Sequence, residues 1–293
     1  VSKNWEMTFG CELELADVDR RIVLPEELGD WDYCECDIVN TLPPYRGVAA
    51  DPLGEVPQVG GEIHVRPGKT PKELALRVQE LLDFLERKGS LYSASPASPF
   101  HVHIRTKGLR DDIGALKRLA AFVRHNQHYI FDKVWGYVKD PRMSPFVARY
   151  LRTDGALPMP NWMADNILAF AVNFDDFIRL HCCGKDAKSR GRPFRYGINL
   201  YCLKHIDTIE FRFFHATVSS WEILNCVVFC EDLLKKVLLA DDDKTAGIAK
   251  ETYESRHWPF PPFVYDHELM AGWERTKYGK DRCRPKVRKL HDI

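Results

Sequence analysis

Along the chain, stretches in which apolar and polar residues alternate are interleaved with stretches in which apolar residues recur every three or four positions. The first pattern predicts half-buried strands and the second amphipathic helices. Alternation predicts strands at 8–16, 59–67, 99–106, 195–203 and 207–215. Helical spacing puts Leu74, Val78, Leu81, Leu82 and Leu85 on one stripe, opened by Thr70-Pro71-Lys72-Glu73 and stopped by Gly89. That opening is a capping box with proline at the first helical position. A second run carries Leu116, Leu119, Val123 and Ile130, and a third carries Ile167, Phe170, Ala171, Phe174 and Ile178. Ser219-Ser220-Trp221-Glu222 is another capping box, followed by Ile223, Val227, Cys230, Leu234, Val237 and Leu238. Asp241-Asp242-Asp243 then reads as a solvated loop, leading into a weaker helix around Thr245 to Ser255.

No glycine-rich turn carries a strand into a helix, which argues against a parallel dinucleotide-binding sheet. The expected class is α+β, with a mainly antiparallel sheet whose one face is packed by helices while the other forms the active site. Without internal repeats or low-complexity linkers, residues 1–293 read as a single catalytic domain with a basic C-terminal extension at about 257–293. From Arg275 to Leu290 this extension holds eight Lys or Arg residues against Asp281. Such a tail is either solvated or a phosphate-binding strip.

Sorting each strand into its two sides exposes a repeated design, because residues i and i+2 share a face. Glu12 and Glu14 oppose Phe9, Cys11, Leu13 and Leu15. Glu62, His64 and Arg66 oppose Ile63 and Val65; His101, His103 and Arg105 oppose Phe100, Val102 and Ile104; Glu210 and Arg212 oppose Ile209, Phe211 and Phe213. A solvated sheet face favours Lys and Thr, whereas Glu, His and Arg are the types that hold hard metals and phosphate oxygens. Paired carboxylates suit Mg²⁺, with Mn²⁺ as a substitute, and arginine forks neutralise phosphoryl oxygens. His64 stands evenly between ligand and bystander, while His125, His128 and His181 lie on helical segments and read as structural, and Cys11 reads as a buried thiol.

Composition narrows the partners. Forty-two basic residues balance forty-two acidic ones, so no global field draws the chain to nucleic acid or an anionic membrane. No apolar run approaches the roughly 18 residues of a membrane span, and no signal peptide is visible at Val1-Ser2-Lys3-Asn4-Trp5. The nine cysteines, an odd number in a large chain, read as reduced thiols in a cytoplasmic setting. Cys34-Glu35-Cys36 and Cys182-Cys183 lack the paired spacing of structural zinc sites.

Phe9-Gly10-Cys11-Glu12-Leu13-Glu14, His101-Val102-His103 and Ile209-Glu210-Phe211-Arg212 resemble, in order, three signatures of the glutamine synthetase and glutamate-cysteine ligase superfamily of carboxylate-amine ligases. With Gly61-Glu62-Ile63, Gly197-Ile198-Asn199-Leu200 and Thr208 to Phe214, the chain is most similar to its amidoligase branch, over about residues 7 to 230. Each motif alone is weak; their order and spacing carry the resemblance. The resemblance implies a glutamine synthetase-like catalytic fold and metal ligation by Glu12, Glu14, Glu62, His101 and Glu210. It implies ATP contacts by His103, Arg66, Arg105, Arg195, Asn199 and Arg212, with Arg212, Glu62 and Glu210 closest to the chemistry. The implied reaction is ATP-dependent formation of an amide or isopeptide bond through an acyl phosphate, from a carboxylate and an amine.

Two departures from the family pattern bear on substrate handling: Thr208 stands where glutamine synthetases carry an arginine, and His64-Val65-Arg66-Pro67 replaces a serine-proline. The alternatives are a metal-dependent hydrolase or phosphotransferase using the same face, and a non-catalytic module that binds nucleic acid or another anion through the basic tail. A large anionic or nucleic-acid-borne acceptor is a further expectation from that tail.

Overall fold

Alternation becomes strand pairing in the computed structural model, which describes residues 5–19, 21–32, 59–90, 93–94, 100–134, 158–181, 196–214, 217–241 and 244–255. The strands are β1 (Met7–Asp19), β2 (Gly29–Asp32), β3 (Val59–Gly68), β4 (Ser93–Ala94), β5 (Phe100–Thr106), β6 (Ile198–Asn199) and β7 (Thr208–Phe214). They pair in the order β2-β3-β1-β5-β7-β6, with β4 beside β1, and every pairing is antiparallel. The helices are α1 (Pro71–Arg87), α2 (Ile113–Val134), α3 (Asn161–Phe170), α4 (Phe174–His181), α5 (Cys202–His205), α6 (Ser220–Leu239) and α7 (Ile248–Ser255). The class is therefore α+β with an antiparallel sheet.

The two capping boxes open helices where the sequence places them. Thr70 Oγ1 accepts the Glu73 N–H at 3.1 Å, and Ser219 Oγ accepts that of Glu222 at 3.4 Å. The return arms differ from the simple motif: Glu73 Oε2 takes the Lys69 N–H at 2.8 Å, and the Glu222 carboxylate takes the Thr217 hydroxyl. Gly68 ends β3 directly under the start of α1, where an added Cβ would lie 2.7 Å from the Leu74 nitrogen, so only glycine permits this approach. Helices α1 and α6 pack against each other and against the sheet, joined by a buried hydrogen bond from Ser220 Oγ to Gln79 Oε1 at 2.7 Å. Phe9, Leu13, Ile63, Val102, Ile209 and Phe211 meet Leu74, Val78, Leu81, Ile223, Val227 and Leu234 in one core.

Three expectations change. The run over Ile167 to Ile178 is two helices, not one. Ala171 is extended, and Asn173 Oδ1 accepts the Asp176 N–H at 2.9 Å, which starts α4 afresh. Phe170 and Val172 consequently face solvent. The strand expected over 195–203 contracts to Ile198–Asn199, because Asn199 Oδ1 takes the Tyr201 N–H at 3.1 Å and turns the chain out of the ladder into α5. The short β2 and β4 have no counterpart in the alternation pattern. The basic extension and the cysteine pairs at 34–36 and 182–183 lie outside the described residues.

Candidate metal centre

Register decides which polar side chains meet. Across β2, β3, β1 and β5, Asp30 opposes His64, His64 opposes Glu12, and Glu12 opposes His101. One row along, Glu62 opposes Glu14. On the other side, Gly10 opposes His103, which opposes Glu210, which opposes Asn199 on β6. Gly10 brings no side chain to its row, where an added Cβ would lie 3.8 Å from both His103 Cβ and Pro67 Cγ. Arg212 enters through an irregularity: between Phe100 and Val102 on β5 the partner advances from Phe214 to Phe211, so β7 carries an extra residue there. Bulges of this kind re-aim side chains beside functional sites.

This polar face is not a solvated one. Glu14, Glu62, His101, His103, Glu210 and Arg212 are all buried, and His101 is only 1% exposed. Glu12 stands at the centre: His101 Nδ1 is 2.6 Å from its Oε2, His103 Nε2 is 2.9 Å from its Oε1, and His64 Nε2 is 3.7 Å from Oε1. His64, half exposed at the rim, also lies 3.5 Å from Glu62 Oε1. Arg212 Nη1 donates to Glu210 Oε1.

Two trios, Glu12/His103/Glu210 and Glu12/Glu62/His101, each bring one ligand atom per residue within 4.8 Å of the others and could hold a metal ion. The state of the imidazoles fits that use. At 2.6 Å His101 Nδ1–H donates to Glu12, which leaves Nε2 buried without a hydrogen-bond partner, 3.9 Å from Glu14 Oε1. His103 Nδ1 pairs with Thr208 Oγ1 at 3.1 Å, and its Nε2 is likewise buried outside hydrogen-bond geometry despite its closeness to Glu12. An imidazole anchored at one nitrogen and unsatisfied at the other has the form of a metal ligand with its outer partner.

The two carboxylates Glu12 and Glu210 carry the negative charge such an ion needs. Burial pushes the Glu12 carboxyl up, but His103 and His101 outweigh it and hold it well below the usual range. Burial likewise opposes Glu210, yet Arg212 and His103 bring it down to about 2. Glu62 is raised to about 7, by burial first and by the Glu12 charge beside it. Burial lowers His101, with Arg212 adding to the effect; His103 is raised because Glu12 and Glu210 overcome its burial. Among the described residues, Arg212 is the permanent cation buried in contact with these carboxylates, so the site has an appetite for positive charge that a divalent ion satisfies.

Other expected residues sit elsewhere. Arg66 is engaged at the sheet edge by Glu26 at 3.2 Å and Asp30 at 3.7 Å, and Arg105 by Asp207 at 2.8 Å. Asn199 is in the site, but as a donor to Glu210 Oε2 at 2.7 Å. Arg195 lies outside the described residues. Cys202 and Thr208 were not foreseen as participants. Cys202 Sγ lies 3.2 Å from Glu210 Oε2, and burial together with the Glu210 charge pushes the thiol up, so it is a donor. Its sequence signal is slight, a cysteine three residues after the asparagine. His125 and His128 are exposed on α2, and His181 is buried between Phe177 and Tyr196.

No family model matches the chain, and no curated protein matches it either. Fold and site together define an α+β protein with a buried carboxylate and imidazole cluster suited to metal.

Proposed function

We propose that the protein is an ATP-dependent carboxylate-amine ligase of the amidoligase type, working in the cytoplasm with Mg²⁺ or Mn²⁺. The observation that carries this reading is the pair of trios sharing Glu12 on one buried sheet face, beside the Glu210–Arg212 pair. Divalent ions held there would bridge and neutralise nucleotide phosphates. Glu12, Glu14, Glu62, His101 and Glu210 would hold them, joined by His103, expected from the resemblance at the phosphates but standing in a trio with Glu12 and Glu210. Thr208 would fix the ring of His103, and Arg212 would meet phosphate oxygens. The substrate carboxylate would take the γ-phosphoryl group, an amine would then displace phosphate from the acyl phosphate, and the amide, ADP and phosphate would leave. Proximity and charge neutralisation would supply the rate, without a covalent enzyme intermediate.

Four free cysteines among the described residues suit a reducing compartment. No described helix is long and apolar enough to cross a membrane. A large anionic or nucleic-acid-borne acceptor remains the proposal attached to the basic extension.

One observation favours a second reading, a metal-dependent hydrolase or phosphotransferase: Arg66 and Arg105 are engaged by acids away from the trios, leaving Arg212, among the described residues, as the arginine in contact with them. Such a site also suits metal-activated water. Hydroxylamine separates the two. Incubated with ATP, Mg²⁺, a library of carboxylates and hydroxylamine, a ligase accumulates a hydroxamate in step with ADP. Phosphate release without hydroxamate from any carboxylate overturns the ligase reading in favour of the hydrolase.

A further inference from the structure

The two oxygens of Glu210 lead different lives. Oε1 turns to the imidazoles, 3.6 Å from His101 Nδ1 and 3.8 Å from His103 Nε2, and accepts from Arg212. Oε2 turns away, accepting from Asn199 Nδ2 at 2.7 Å and from the Cys202 thiol at 3.2 Å. The donors are braced in turn. Asn199 Nδ2 is 3.3 Å from Cys202 Sγ, Asn199 Oδ1 takes the Tyr201 N–H, and the ladder sets Asn199 directly opposite Glu210. A β6 residue and the first residue of α5 thus grip one carboxylate oxygen from the side remote from the histidines.

We propose that Asn199 and Cys202 are positioning residues that hold Glu210 as a one-oxygen ligand and thereby select a small octahedral cation over Ca²⁺. The selection follows from coordination chemistry. Mg²⁺ demands a near-ideal octahedron at about 2.0–2.1 Å, whereas Ca²⁺ reaches its larger, flexible shell of about six to eight oxygens at about 2.3–2.6 Å partly by taking carboxylates through both oxygens. With Oε2 engaged by two donors, Glu210 cannot swing to offer both oxygens without losing two hydrogen bonds. The inference rests on the metal-site reading above.

The test compares Mn²⁺ and Ca²⁺ affinities, by Mn²⁺ electron paramagnetic resonance and Ca²⁺ competition, in the wild-type protein and in Asn199→Ala, Cys202→Ala and Cys202→Ser. Outer partners of metal ligands are typically worth about 10- to 100-fold in affinity. Mn²⁺ binding should therefore weaken by about tenfold or more in Asn199→Ala and Cys202→Ala, Ca²⁺ binding should weaken less, and serine should restore the wild-type preference. Should Asn199→Ala fail to fold, the Cys202 pair decides alone. An unchanged Mn²⁺ to Ca²⁺ ratio in Cys202→Ala, while the wild type binds Mn²⁺, overturns the clamp and leaves the metal centre standing. Absence of Mn²⁺ binding by the wild type overturns both.

Discussion

Among the described residues Arg212 brings the one guanidinium found in contact with the two trios, and its role can be separated from its charge. Lysine keeps the charge but not the planar guanidinium that sets Nη1 between Glu210 Oε1 and, at 3.3 Å, His101 Nδ1. Loss of one preorganised donor at developing charge costs about a hundredfold in turnover. On the proposed ligase reading, Arg212→Lys should therefore lower ATP consumption by about that factor, measured as ADP release. Because the side chain is buried, a stability loss should accompany it, smaller than the roughly 3–5 kcal/mol of a pair left with an uncompensated charge. Unaltered ADP release would mark Arg212 as structural. His181 offers a residue-scale test of a different kind. Burial between aromatic rings, with Nε2 unpartnered, depresses it to about 4 from an ordinary value of 6.5. Between these values the unfolded chain binds a proton that the folded chain refuses, so the stability present above pH 6.5 is lost as pH falls towards 4. The loss amounts to about 3 kcal/mol at most. Urea unfolding at pH 7.5 and pH 5 should show a smaller difference for His181→Phe than for the wild type, and equal differences would refute the assignment.

At the scale of elements, the α4 start supplies the clearest test, because Asn173 decides where one helix stops and another begins. Asn173→Ala removes the acceptor for the Asp176 N–H and should cost about 1 kcal/mol in denaturant unfolding. A change well below that would mean that packing of Phe177 and Ile178 alone sets the break. This break was unreadable beforehand because Ile167, Phe170, Ala171, Phe174 and Ile178 keep helical spacing straight through it, and spacing does not register a cap formed inside a run. The strands were more transparent. Period-two alternation puts Glu12 and Glu14, Glu62, His101 and His103, and Glu210 and Arg212 on one face whatever the strand order. What alternation cannot contain is register. That Glu12 lies between His64 and His101, and that His103 lies between Gly10 and Glu210, depends on pairings between strands far apart in the chain. The same limit hid the ion pairs of Arg66 with Glu26 and of Arg105 with Asp207, and it hid Cys202, which acts from the start of the four-residue helix α5, too short for either period to register.

For the molecule as a whole, the consequence of this register is that one small site ties together most of the sheet. Glu12 and Glu14 come from β1, Glu62 from β3, His101 and His103 from β5, and Glu210 from β7, while Asn199 of β6 grips Glu210 from outside. Ions bound here would add to the side-chain ties that already cross these strands, such as His101 and His103 to Glu12 and His103 to Thr208. They would also offset the mutual repulsion of buried carboxylates, of which Glu62 shows the sign in its raised value. Anything that binds the native state and not the unfolded one stabilises it by mass action, by about 2.7 kcal/mol at a hundred times the dissociation constant. Saturating Mn²⁺ should therefore raise the unfolding free energy of the EDTA-treated wild-type protein by about that amount, followed by urea unfolding with tryptophan fluorescence. Glu12→Gln keeps the shape of the side chain but removes the charge common to both trios, so the ion should leave the stability of this variant unchanged. Equal stabilisation of wild type and variant would place the ion elsewhere on the protein, and no stabilisation of either would leave the buried carboxylates to be neutralised by His103 and Arg212 alone.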